Sequence, residues 1–179
     1  MNLLRRVSSW KTFSILLVAY ILFAVFIMGG MMSGGETKLQ PLDLLFSYSP
    51  DKAYALITSY GDTRLRYAFM SLTADTAYPI IYTALFMVLI FQLSRTLWPN
   101  HPKRHRLALF PLFALVFDLF ENQSIIKMLK AFPNRLDGVA IAASTFTSLK
   151  WLSVGCITAI IVVLVVLVIA KKLKKQLRT

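Results

Sequence analysis

Four apolar stretches, about residues 13–32, 66–93, 107–129 and 148–170, alternate along the chain with short polar or basic connections. Each reaches the ~20 residues that cross ~30 Å of hydrocarbon at 1.5 Å per residue, so the pattern predicts four transmembrane helices. The expected fold is all-α: one polytopic membrane domain over residues 1–179, built as a four-helix bundle, with a basic tail from residue 171. A cleavable signal is the rival reading of the first stretch. Its length favours a retained helix, as does its ending, Gly29-Gly30-Met31-Met32-Ser33-Gly34-Gly35, which lacks an A-x-A-like site.

The long connection after the first stretch carries a pattern of its own. Ser49-Pro50-Asp51 is a helix start, Ala53, Leu56, Ile57 and Tyr60 follow at helical spacing, and Gly61 is a candidate C-cap. A short amphipathic helix on the outer surface is therefore expected, either as a lid on the bundle or as a shield for helix ends.

Polar residues inside the apolar stretches are the candidates for function. Ser71, Asp75, Tyr78 and Tyr82 form a stripe on one face of the second helix, and Asp118, Glu121 and Asn122 share a face of the third. An ionisable residue at bilayer depth costs roughly 2.5 to 3.5 kcal/mol, so such residues face a bundle interior or a wet cavity. Asp118 and Glu121 follow Arg106 by 12 and 15 residues, which places them ~18 and ~22 Å above the inner interface. Pro79, four residues after Asp75, removes the amide that would bond the Asp75 carbonyl; it either simply kinks the helix or leaves that carbonyl available to a cation or hydroxyl. The fourth stretch adds Thr147 and Lys150, and Arg64 or Arg66 can reach the same region from the outer end. Asn122-Gln123-Ser124 has the form of a glycosylation sequon, but its depth makes it unusable.

Charge fixes the expected topology. The net charge is +12, yet the bases are not spread as nucleic-acid binding would require, and no nucleic-acid partner is expected. Arg5, Arg6 and Lys11, then Arg95, Lys103, Arg104 and Arg106, then Lys171, Lys172, Lys174, Lys175 and Arg178 have no acid among them. All eight acids lie with the other eight bases in the remaining segments. That asymmetry sets both termini in the cytoplasm of a multi-pass protein. The tail and the Trp98–Arg106 loop should then rest on anionic inner-leaflet lipid, at about 1 kcal/mol per basic residue near the surface. His101 and His105 straddle Pro102 among basic residues and do not form a helical metal pair. Cys156, the single cysteine, reads as a small interior residue. Neither a metal nor a cofactor is expected, and the oligomeric state is left open.

Acids gathered in low dielectric do not all ionise together, so one of them is a candidate general acid or base. Asp118, Glu121 and Asp75 are the candidate catalytic residues. Asn122, Tyr78, Tyr82, Lys150, Thr147 and Arg66 are the candidate ligand contacts. Together they suggest an outer-facing intramembrane pocket that binds, and in a catalytic version converts, a small amphipathic or lipid-like molecule. Whether the chain is an enzyme stays open. A non-enzymatic accessory or packing subunit of a membrane complex is the alternative, and a small transporter the third reading.

Gly61 with Arg64 to Tyr67, Asp75 with Tyr78-Pro79 and Tyr82, Phe117-Asp118-Leu119-Phe120-Glu121-Asn122, and Thr145 to Lys150 resemble corresponding segments of a group of small four-helix integral membrane proteins. The resemblance covers roughly residues 50 to 155. It implies a shared four-helix architecture and brings no activity, substrate or cofactor with it.

The topology is testable with single cysteines at Ser8, Asn100, Asn134 and Gln176 in a Cys156→Ala background. Positions 8, 100 and 176 should react with a membrane-impermeant maleimide only from the inner side, and position 134 only from outside. Outside labelling at position 100 would overturn the arrangement.

Overall fold

The computed structural model describes residues 2–28 and 40–177, and among them every regular element is a helix. In chain order these are α1 (Asn2–Val7), α2 (Trp10–Leu22), α3 (Pro50–Ser59), α4 (Arg64–Leu97), α5 (Pro111–Ala131) and α6 (Asp137–Gln176). Three helical segments, Gly61–Leu97, Arg104–Ala131 and Asp137–Gln176, are long and apolar enough to cross a membrane. The helix Trp10–Phe26 is apolar but shorter. The Gly29–Gly35 run lies outside the described residues, so the expected end of the first span does too.

The first helix starts where Ser9 accepts a hydrogen bond from the Thr12 amide at 3.0 Å, and after Leu22 it widens into a π-helical turn over Phe23–Met28. It docks on α4 through aromatic rings. Tyr20 stacks on Tyr78 at 5.5 Å, and their hydroxyls are hydrogen-bonded at 2.9 Å.

The predicted surface helix forms as α3. Ser49 caps it by accepting from the Lys52 amide at 3.2 Å, and Pro50 occupies its first turn, where no amide partner is needed. Ala53, Tyr54, Ile57 and Tyr60 are buried on one face. Gly61 has φ +49°, a conformation that a side chain disfavours, and this turn redirects the chain into α4.

The α4, α5 and α6 helices run up and down against one another, and their buried residues fall into three layers. An upper apolar core contains Leu42, Ile57, Tyr67, Ile125, Leu129 and Ala143, among others. A lower one contains Ile90, Phe91, Ala114, Ile157 and Leu164. Between them in the sequence of every helix come buried polar residues: Ser71 and Asp75 on α4, Asp118, Glu121 and Asn122 on α5, Thr147 and Lys150 on α6. At the lower end the Lys171 ammonium caps α4 by donating to the carbonyls of Thr96 and Leu97 at 2.8 and 3.2 Å.

The fourth apolar stretch lies within a longer helix of 40 residues, about 60 Å long, that begins at Asp137. Residues 137–147 have weak helical character as a sequence, but Ala140, Ala143 and Thr147 are fully buried, and tertiary packing supplies what propensity does not. Cys156 is exposed on α6 rather than interior. The most apolar window of that helix is only 11% buried within the protein. Val162, Val163, Val166 and Ile169 are all more than half exposed, as side chains that face acyl chains would be.

Candidate functional site

The middle layer has its centre at Glu121, which is fully buried on α5. Helical rise brings Thr147 and Lys150 of α6 to the same height, and three-residue spacing puts both on the face that meets α5. The Lys150 ammonium lies 2.6 Å from Glu121 Oε2, and the Thr147 hydroxyl donates to Oε1 at 2.6 Å. A charged pair this deep is stable only when both partners are well bonded, and here each carboxylate oxygen has its own donor.

A second group forms one turn away. Tyr82 of α4 donates to Asp118 Oδ2 at 2.9 Å, and Asn122 donates to Oδ1 at 3.3 Å. The same Asn122 amide also donates to the backbone carbonyl of Asp75 at 2.8 Å. This is the carbonyl that Pro79 leaves without a helical partner. The expectation that it stays available to a ligand is therefore corrected: Asn122 uses one amide hydrogen on that carbonyl and the other on Asp118. The Asp75 carboxylate sits beside the Ser71 hydroxyl, within electrostatic reach of Asp43, Asp118 and Lys150.

Residues 40–48 close the layer from above. Asp43 lies in a single 3-10 turn, Leu42–Leu44, whose Leu42 is fully buried. Its carbonyl accepts from Lys150 Nζ at 3.1 Å and from Trp151 Nε1 at 3.3 Å, and its carboxylate accepts from Tyr67 at 3.1 Å. Further along, Ser144 accepts from the Tyr48 amide at 2.8 Å and Ser148 donates to the Phe46 carbonyl at 2.8 Å. Side-chain bonds to α4 and α6, and not a ladder of regular structure, hold this segment down. The Tyr48 hydroxyl is buried close to Thr147 but poorly aligned with it. Burial pushes that hydroxyl well above its usual range, and the Glu121 and Asp43 carboxylates push the same way, so it remains a neutral donor.

Of the residues singled out by sequence, Asp75, Tyr82, Asp118, Glu121, Asn122, Thr147 and Lys150 are brought together. Tyr78 is turned toward Tyr20 on the first helix. Arg66 is exposed at the start of α4, and the Arg64 guanidinium lies over the Phe132 ring at 4.5 Å. Asp43 was missed. Its setting, Pro41-Leu42-Asp43-Leu44-Leu45-Phe46, is too apolar for a solvated loop, and that was the available signal. Among the described residues, no three His, Cys, Asp or Glu side chains converge as metal ligands would. No family model, curated protein or solved structure matches the chain, so what this layer does rests on its own geometry.

Two double-mutant cycles follow from these bonds, both read by thermal unfolding in detergent. Lys150→Met should cost about 3 to 5 kcal/mol because it strands Glu121, and adding Glu121→Gln should recover much of that loss. A Lys150→Met protein as stable as the parent would show that the pair holds nothing together. Asn122→Leu should cost about 2 kcal/mol in the parent. It should cost about 1 kcal/mol less in a Pro79→Ala background, where residue 79 regains an amide for the Asp75 carbonyl. Equal costs in both backgrounds would sever the assigned link between Pro79 and Asn122.

Proposed function

We propose that the chain is a multi-pass membrane protein of four spans, with both termini on the cytoplasmic side. In this reading the polar layer is an outer-facing intramembrane site for a small amphipathic or lipid-like molecule. One observation carries the proposal. Three carboxylates, Asp75, Asp118 and Glu121, are buried in one layer, yet the single ammonium there forms an ion pair with Glu121 alone of the three. Asp118 is met by neutral donors from Tyr82 and Asn122. A layer with more acceptors than donors suits a guest that brings hydroxyl or amine hydrogens, and the apolar cores on either side suit a hydrocarbon body.

The bonding separates the roles of the acids. Glu121, locked between Lys150 and Thr147, holds the layer in register. Asp118, held in place but not neutralised by a cation, is the group to give or take a proton in a catalytic version, with Tyr82 and Asn122 orienting it and Asp75 across from it. Entry is beneath residues 40–48, whose closure depends on individual side-chain bonds that can open separately. A specific observation also favours the packing reading: both Glu121 oxygens and both Asn122 amide hydrogens already have partners within the protein, as a register-fixing network needs.

Asp118→Asn distinguishes the two. The change keeps the shape and removes a buried charge, so a site that carries this charge for function should lose its co-purifying small molecule while its melting temperature stays level or rises. Solvent extraction and mass spectrometry of parent and variant, alongside melts, supply both readings. A variant that falls by more than about 3 kcal/mol with an unchanged extract would make Asp118 a packing element.

A further inference from the structure

The opposite end of the bundle holds an open groove of about 690 Å³ that the polar layer does not use. Its wall is the 3-10 helix Arg104–Leu109, which leads into α5. Pro99 and Pro102 prevent α4 from continuing, and hydrogen bonds spaced by three residues carry the chain onward, Arg106 to Lys103 at 3.2 Å, Phe110 to Leu107 and Phe113 to Phe110 each at 3.1 Å.

Three residues per turn sort the side chains into three straight rows. One row, His105, Ala108 and Pro111, is buried. The His105 Nε2 bonds the Trp98 carbonyl at 2.9 Å, and its ring meets Phe91 edge-on at 5.5 Å, which fixes the rotation of the whole segment. The other two rows line the groove: Lys103, Arg106 and Leu109 in one, Arg104, Leu107, Phe110 and Phe113 in the other. Both begin with bases and continue with apolar side chains. The segment is thus amphipathic along its length rather than across it. Such a groove fits an elongated molecule with an anionic head and a hydrocarbon tail lying parallel to the helix. The Arg104 guanidinium lies over the Trp98 ring at 4.8 Å, a cation–π contact that holds it at the head end of the groove. No acid occurs between Asp75 and Asp118 to compete for these bases. Leu107, Leu109 and Phe113 are exposed, so the tail end of the groove opens onto the same apolar surface that faces the membrane core.

We infer that this groove seats one anionic phospholipid, its phosphate between Lys103, Arg104 and Arg106 and one acyl chain along Leu107, Phe110 and Phe113. This is a site with a stated place for head and chain, distinct from the diffuse attraction of the basic tail. It does not depend on what the polar layer binds.

The test uses the full chain with Trp10→Phe and Trp151→Phe, so that Trp98 is the only indole, in vesicles of phosphatidylcholine containing increasing amounts of lipid brominated on the acyl chain. Brominated phosphatidylglycerol should quench Trp98 at much lower mole fraction than brominated phosphatidylcholine. Arg104→Gln and Arg106→Gln, both exposed side chains, should each reduce that preference roughly fivefold, the order expected for one basic residue at an anionic surface. Inorganic phosphate in the buffer should not compete, since it lacks the chain that the groove accommodates. Three results would each overturn the assignment: equal quenching by the two lipids, full competition by inorganic phosphate, or a preference lost on neutralising Lys172, Lys174 and Lys175 but kept in the Arg104→Gln/Arg106→Gln chain. Native mass spectrometry of the unaltered chain against Arg104→Gln/Arg106→Gln gives a second reading that needs no tryptophan change. One retained phosphatidylglycerol in the parent and none in the variant supports the site, and the same count in both rejects it.

Discussion

A fully buried glutamate has to be answered by charge, and in this protein the answer organises three segments of the chain. Glu121 comes from α5, the ammonium that meets it from α6, and the carbonyl that takes another hydrogen of that ammonium from residues 40–48. Deep in an apolar surrounding, an unpaired carboxylate costs several kcal/mol, far more than any single methyl contact nearby supplies. Any arrangement that slides α6 by one turn, or lifts the 40–48 segment away, leaves Lys150 or Glu121 without a partner. The register of the upper half of the bundle is therefore set by one ion pair, while the apolar cores above and below supply area that is less particular about alignment.

The neighbouring group solves a different problem with a neutral residue. Proline inside a membrane helix exposes a carbonyl that lipid cannot satisfy, so another helix must reach it. Asn122 does so and spends its remaining hydrogen on Asp118, which links the backbone of α4 to a carboxylate of α5 through one amide. The consequence is that the geometry around Asp118 is linked to a backbone defect 39 residues away in sequence, at Pro79. Any proton chemistry at Asp118 takes place on a side chain that cannot rotate without breaking its bonds to Tyr82 and Asn122.

Much of this was legible in the sequence, for identifiable reasons. The acids and amides of α4 and α5 stand out because each sits in an apolar run, and Lys150 because its distance from Lys171 places it at the outer end of the acidic cluster. The surface helix was legible from Ser49-Pro50 and Gly61, where local chemistry alone decides. Asp43 was not, since its place in the layer comes from tertiary bonds to Tyr67, Lys150 and Trp151 that no periodicity announces. The rotation of Tyr78 toward Tyr20 was hidden for the same reason: a tyrosine on the boundary of a polar stripe belongs to whichever neighbour offers an oxygen. The weakly helical stretch before the fourth apolar run joins it as one helix, where Gly138 is tolerated beside alanines and Ala140 and Ala143 are fully buried.

The two ends of the bundle show how one chain distributes polarity according to what surrounds it. In the buried layer Glu121 is met by an ammonium and Asp118 by neutral donors, all from within the protein. At the lower end Lys103, Arg104 and Arg106 stay exposed, and the protein offers them no carboxylate across the whole interval from Asp75 to Asp118. Like charges this close in sequence repel, and a counter-charge from outside the chain relieves that repulsion. Lys171 is the exception that defines the rule. It is spent on the last carbonyls of α4, and by pinning α6 to α4 at that point it holds the start of the basic tail at the same end of the bundle as the loop, so that both meet the same surface.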